Sequence, residues 1–422
     1  MPTVHTRRLK CKGDAFGIFE RIKQKPHAFF LDSSFNAPQA RFSYLGFDPF
    51  KIIEGRDIAA LKKAWEPHRL PKGAGHFPAG AVGYLGYDGQ LWFGLYDGVI
   101  AIDHYANTVV LSALSKRRLE ILESALKADA PPTAFKAFKG RLTFKSNFTK
   151  AQYLSAVRRV LTHIRDGNIY QINLSQRVEA LVHNWQDYTD AAAVYSQLRS
   201  QSPSPFGAYL DDGHQFILSA SPERFVQLCG DIVQVRPMKG TRPRGKNAAG
   251  DARLKKELLN SPKEIAELLM VTDLERNDLG RVCDYGSVRV KAMRAIEEYA
   301  TVFQATSTVE GRLHQSFDQF DLLKAVFPSG SVTGCPKIAA MEIISELEKG
   351  SRGLYTGALG YISFSGDMDF NVLIRTLFLR KNSIAFHVGG GIVADSTPQA
   401  EWEETWVKAY AMQEALRKVF GA

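Results

Sequence analysis

The 422-residue chain has only four cysteines, Cys11, Cys229, Cys283 and Cys335, none close to another, and no Cys-x-x-Cys or Cys/His ligand spacing. That argues against a disulfide framework and a zinc site and fits reduced thiols in a cytoplasmic protein. No window approaches eighteen consecutive apolar residues, so no helix is expected to cross a membrane. The N-terminus, Met1-Pro-Thr-Val-His-Thr-Arg-Arg, is basic and does not turn apolar, so no secretory leader is expected. The sequence also lacks the Gly-x-Gly-x-x-Gly and Gly-x-x-x-x-Gly-Lys patterns, which disfavours a dinucleotide fingerprint or a P-loop. No repeat period or low-complexity tract interrupts it.

What is present is an ordinary globular composition, 45% hydrophobic and 23% charged, with a net charge of +10. The length allows two or three domains, or one large sheet-rich domain. The positive balance favours anionic partners: nucleic acid, an acidic membrane surface, or a small carboxylate or phosphate. Gly80–Tyr87, Gly94–Tyr96 and Val99–Asp103 read as strands of an antiparallel sheet, with Asp88-Gly89 and Asp97-Gly98 as turns. Ala128–Thr133 is the linker candidate. It divides a β-rich N-terminal domain over 1–130 from a second domain over 145–422. Apolar residues at Tyr153, Val157, Val160, Leu161 and Ile164 predict one helix over 149–166, ended by Gly167.

Further strands are expected over 169–177 and 206–238. Helices are expected over 190–201, 251–272, 317–326 and 336–347. A three-stranded meander (355–364, 368–379, 384–388) then leads into Gly389-Gly390-Gly391 and a last helix. Strands and helices come in blocks without βαβα alternation, which predicts α+β.

Three stretches carry chemistry. In Arg236-Pro-Met-Lys-Gly-Thr241, Pro237 and Gly240 restrict the backbone around Lys239, a candidate nucleophile if its surroundings lower its pKa. The same residues, with Arg242, Arg244 and Lys246, also read as a solvated basic surface. Ser261-Pro-Lys-Glu264 has the form of a helix start, and Glu267 follows on the same face, beside an expected buried stripe of Ile265, Leu268, Leu269 and Thr272. A second helix, from Thr397-Pro398, repeats Glu-x-x-Glu at Glu401 and Glu404, with Lys408 one turn on. Singly, these acids are a capping box and an exposed ion-paired face. Together they could supply oxygen ligands to Mg²⁺. The triple glycine lets a ligand approach the backbone.

In order along the chain, Tyr170-Gln-Ile-Asn-Leu-Ser175, Ser221-Pro-Glu-Arg-Phe225, Pro237-Met-Lys-Gly-Thr-Arg-Pro243, Asp273-Leu-Glu-Arg-Asn-Asp-Leu-Gly-Arg281, Gly334-Cys-Pro-Lys337 and Gly389–Asp395 resemble the chorismate-binding enzymes over residues 145–415. The resemblance implies two antiparallel sheets in a sandwich flanked by helices, the fold of anthranilate synthase component I. It also implies chorismate as substrate and Mg²⁺ held by Glu264, Glu267, Glu401 and Glu404. Within the family, aminodeoxychorismate synthases carry lysine where anthranilate synthases typically carry alanine, so Lys239 points to the former. Lys239 would be the nucleophile and Glu223 the acid. Gly240, Thr241, Ser331, Tyr355, Arg375, Gly389, Gly390, Gly391 and Lys408 stand at family substrate positions. Arg276 and Arg281 match family arginines but also read as structural ion pairs. Gln304 stands where the family usually has histidine, and a side chain that cannot titrate near neutrality would disfavour elimination of the enolpyruvyl group. Phe30–Ser34 lies near the family's tryptophan-binding segment, though it also reads as a plain strand end.

No glutaminase motif is present, so ammonia is expected from solution or from a separate glutamine amidotransferase subunit. Anthranilate synthase component I is the nearest alternative. A nucleic-acid-binding protein is the alternative from another class, disfavoured because the basic run lies among carboxylate pairs and glycine turns. A chorismate binder without activity would also be compatible with Gln304.

Overall fold

A computed structural model describes residues 3–11, 13–35, 40–73, 76–129, 142–181, 187–299, 302–381 and 383–421. Most of the expected linker at 128–133 lies outside them. Among the described residues the chain forms two antiparallel sheets, of twelve and ten strands, with ten α-helices. This is the expected α+β sandwich. The first sheet runs from His5–Lys10 through Phe29–Asp32 and Phe206–Asp211 to Ser383–Ile392 and Gln171–Leu181. The second runs from Met238–Pro243 through Val302–Arg312 and Ala358–Ser363 to Lys51–Gly55. Both sheets take strands from either side of residues 130–145, so hydrogen-bonded layers continue across that stretch.

Alternation along each strand sends one set of side chains into the sandwich. Phe29, Tyr44, Val99 and Ala208 of the first sheet interlock there with Val82, Trp92, Tyr96 and Leu359 of the second. The outer face of the first sheet is covered by helices Ala15–Phe19, Lys116–Lys127, Asp187–Gln201 and Pro398–Phe420. That of the second is covered by Ile58–Trp65 and Gln319–Val326. Phe19 is fully buried, its ring 5.2 Å from Phe30 and 4.7 Å from Tyr209. Phe19→Ala is expected to cost ~3–5 kcal/mol, the usual loss for emptying such a site, read as a lowered urea midpoint at unchanged slope.

Several elements differ from the sequence reading. Asp97-Gly98 does not close a hairpin, because Leu91–Tyr96 belongs to the second sheet and Gly98–Asp103 to the first. The run 368–379 is likewise two strands, Met368–Val372 and Thr376–Arg380, in different sheets. Both are continuous apolar runs because they are buried on each side of the crossing, and periodicity carries no sign of a change of sheet. The glycine run lies inside the strand Ser383–Ile392 instead of following it. Helix Lys150–Arg165 forms as expected, with Thr149 and Gln152 completing a capping box. The region around 251–272 resolves into two helices, Ala248–Asn260 and Pro262–Gly280, the second starting at the Ser261-Pro262 cap.

Candidate active site

The Lys239 run is itself an edge strand, Met238–Pro243, paired with Val302–Arg312 so that Lys239 faces Ala305 and Thr241 faces Gln304. The register slips between them. Gly240 sits at that bulge with φ +78°, in the left-handed region open to glycine. A Cβ at Gly240 would lie 2.7 Å from a Glu264 carboxylate oxygen, so glycine also permits close approach of the helix. The basic run does not form an open cationic surface. Arg236 pairs with Glu297, Arg242 with Glu257 and Glu264, and Arg244 with Asp251. Lys246 is exposed, whereas Lys239 turns inward and its Nζ donates to the Ser331 carbonyl at 3.1 Å.

Side chains from distant elements meet around that amine. A Cβ on Gly391 would lie 3.4 Å from Lys239 Nζ, and one on Gly390 would lie 3.0 Å from Glu401 Oε2 and 3.6 Å from Glu404 Oε1. The glycine strand therefore lies within reach of both the lysine and the acids. Lys408 donates to the Gly389 carbonyl at 2.9 Å and pairs with Glu404 at 2.7 Å. Burial lowers the Lys239 pKa, opposed by the nearby charges of Glu267 and Glu223. Burial raises Glu223 to about 7, opposed by a hydrogen bond from Ser331 and by the Lys239 charge. Both shifts favour a neutral amine beside a protonated carboxyl.

Helix Pro262–Gly280 buries Glu267 and helix Pro398–Phe420 buries Glu401, each one turn from the second acid of its pair. Burial raises Glu267, opposed by the charges of Lys239 and Lys263, and the charges of Glu264 and Glu401 raise it further. Burial also raises Glu401. At Glu404 burial acts in the same direction, but Lys408 outweighs it and the pKa falls. Glu401 Oε1 accepts from Ser396 at 2.6 Å, while its buried Oε2 has no partner among the described residues. Among those residues no three acidic, histidine or cysteine side chains are drawn in to metal-ligand distance. The donor set nonetheless fits a hard divalent cation, being all carboxylate with one buried oxygen free. Glu264 is partly committed elsewhere, accepting from Arg242 at 3.2 Å. The stripe beside these acids is not as expected, since Leu269 is 56% exposed.

Ser331 and Tyr355 are buried at the site, Tyr355 stacked on His387. Thr241 is exposed on the edge strand and receives a 3.4 Å contact from Gln304 Nε2, while the buried Gln304 Oε1 has no partner among the described residues. Arg375 is not on a strand. It occupies the crossing between sheets with φ +51°, near enough to Glu223 to be affected by its charge. Arg276 and Arg281 do not reach the cluster: they are exposed and pair with Asp273 and Asp278 on their own helix. The sequence reading missed Gln171 and Asn173, whose Oε1 and Nδ2 are also buried without hydrogen-bond partners among the described residues. They are the polar positions of the Tyr170–Ser175 alternation, and that alternation was the available signal. Unpaired buried polar atoms are rare in folded proteins, so their concentration here marks a place prepared for a polar ligand.

A separate cavity of about 850 Å³ is lined by Asp32, Ser33, Arg41, Arg224, Arg236 and Asp369 among others. The Phe30–Ser34 segment therefore both forms a strand, Phe29–Asp32, and faces a cavity.

The architecture and the amine–carboxylate cluster place the molecule among the helix-flanked α+β sandwiches of the anthranilate synthase component I type. Residues 25–414 match the family described as chorismate binding enzyme, and the chain belongs to that family. It is 35% identical to aminodeoxychorismate synthase component 1 of Bacillus subtilis, over 94% of this chain and 93% of that one. It is 38% identical to anthranilate synthase component 1 of Thermus thermophilus, over 93% of each. The crystal structure of anthranilate synthase component I from Streptococcus pneumoniae TIGR4 superposes with a TM-score of 0.78 at 32% identity, covering 89% of this chain and 93% of that one.

Proposed function

We propose that this chain is the component I of an aminodeoxychorismate synthase, converting chorismate and ammonia to 4-amino-4-deoxychorismate through a lysine-bound intermediate. The observation that carries the reading is the inward turn of the half-buried Lys239, its Nζ on the Ser331 carbonyl, beside Glu223 and within reach of Gly391. Neutral Lys239 adds its lone pair at C2 of the ring. The diene electrons shift, the C4–O bond breaks, and the departing hydroxyl takes the Glu223 proton and leaves as water. Ammonia then adds at C4, the electrons shift back, and the C2–N bond breaks to release Lys239. The new ammonium returns a proton to the Glu223 carboxylate. Two modest steps replace one difficult substitution.

Arg375, at the sheet crossing, and Lys408, on the last helix with its amine on the Gly389 carbonyl, are suited to the carboxylates of the substrate. Glu267, Glu401 and Glu404, with Glu264 directly or through water, would hold Mg²⁺. That ion would offset substrate carboxylate charge. A separate glutamine amidotransferase subunit would supply ammonia, and the product would feed synthesis of 4-aminobenzoate and folate. Mass spectrometry of the product from chorismate, ammonium and Mg²⁺ tests the reading, which does not survive a product that lacks nitrogen.

A second reading, anthranilate synthase, is favoured by the 38% identity to a protein of that name. Gln304 separates the two. Its amide cannot move a proton near neutrality, and a positioned acid–base group is typically worth 10²–10⁴ in rate, so release of pyruvate is expected to lag amination by about a hundredfold or more. A coupled lactate dehydrogenase assay run on wild type measures it. Stoichiometric pyruvate with anthranilate would establish the second reading instead.

A further inference from the structure

Two turns beyond Glu267 on the same helix, Glu275 is 2% exposed and has no place in the steps above. Its Oε1 accepts from the Ser329 hydroxyl at 3.2 Å and from the Gly330 amide at 3.0 Å. Its buried Oε2 has no partner among the described residues. Gly330 presses directly on the helix: a Cβ there would lie 2.5 Å from a Leu274 methyl and 3.3 Å from Glu275 Oε1. Ser329 Oγ lies 3.0 Å from Ser331 Oγ and accepts from the Ser331 amide at 3.3 Å. Ser331 is the residue that faces the reacting groups, with its carbonyl on Lys239 Nζ and its hydroxyl on Glu223. A buried acid on the helix is thus joined through two serines to both members of the amine–carboxyl pair.

We infer that Glu275 is a positioning residue: it clamps the Ser329-Gly330-Ser331 turn so that Ser331 aims the Lys239 amine. The inference rests on the function proposed above. A neutral glutamine at 275 would keep the shape and one acceptor, whereas leucine would remove both bonds to the turn. The charge of Glu275 also raises the Glu223 pKa. Burial raises the Glu275 pKa to about 7, and of the charged groups facing it Lys337 lowers the pKa and Asp278 raises it. Lys337 is itself held by Asp278 and by the Pro328 carbonyl.

The test compares wild type, Glu275→Gln, Glu275→Leu and Ser329→Ala, each first confirmed as folded by its denaturation midpoint. Glu275→Leu and Ser329→Ala are expected to lose about 10²-fold in kcat for amination with KM for chorismate little changed, the size of effect that a misplacement of about 1 Å produces. Glu275→Gln should keep most of kcat at neutral pH. Its alkaline limb should move to lower pH, because the negative charge that holds the proton on Glu223 is gone. Should Glu275→Leu fail to fold, Ser329→Ala carries the same prediction.

Pulse acetylation of Lys239, read by peptide mass spectrometry, gives a second measure that needs no turnover. Nζ should label faster in Glu275→Leu than in wild type, and at the wild-type rate in Glu275→Gln. Wild-type kcat, pH limb and labelling rate in folded Glu275→Leu and Ser329→Ala would overturn the inference. Absence of an aminated product from wild type would instead overturn the proposed function, and the labelling comparison would still judge the clamp.

Discussion

Lys239→Ala is expected to lose amination by roughly a thousandfold or more, about 4 kcal/mol of barrier, while the protein stays folded. The strand that carries Lys239 is tied on one side to Val302–Arg312, and its neighbours Arg242 and Arg244 are anchored by ion pairs of their own. Truncating the side chain therefore removes the amine without undoing the strand. The measurement is single-turnover product formation from chorismate and ammonium across pH, with mass spectrometry of the quenched wild-type enzyme for a chorismate-derived adduct on the Lys239 peptide. Unimpaired amination by Lys239→Ala would mean that ammonia attacks the ring directly, and the covalent route would be abandoned.

The second large effect concerns the carboxylates. Glu401→Gln and Glu267→Gln are each expected to raise the Mg²⁺ concentration for half-maximal amination by about 10- to 100-fold, and chelation should stop wild type altogether. Both acids are buried, and Glu401 keeps an unpaired oxygen, so the amide can take the same space while surrendering the charge. Glu401→Gln retains an oxygen for Ser396, which should leave the helix start at Thr397 intact. Titration calorimetry with Mg²⁺, with and without chorismate, reads the loss independently of turnover. Full activity after exhaustive chelation would remove the metal from the proposal.

Most of the local structure was legible because it depends on neighbours in sequence. The helix start at Ser261, the Asp88-Gly89 turn and the paired glutamates all follow from the chemistry of four or five adjacent residues. What escaped depended on the sheets. Whether Leu91–Asp103 stays in one sheet or crosses to the other is decided by packing on both faces, and a continuous apolar run reads the same either way. Arg375 looked like a strand residue for that reason, yet it sits at a crossing in a left-handed conformation. Arg276 and Arg281 shared a motif with Asp278, but the helix turns them to solvent while it turns Glu275 inward.

The sequence by itself determined the family and the α+β class and singled out the candidate groups, because long motifs and side-chain types survive without knowledge of distance. Only the tertiary structure decided which of those groups meet. It turned Lys239 inward while Arg236, Arg242 and Arg244 found partners, set the helix of Glu401 and the strand of Lys239 against one run of glycines, and placed a buried acid behind the serine turn. The physical reason is that a pKa or a ligand set depends on burial and on charges a few ångströms away, and these are supplied by residues remote in sequence.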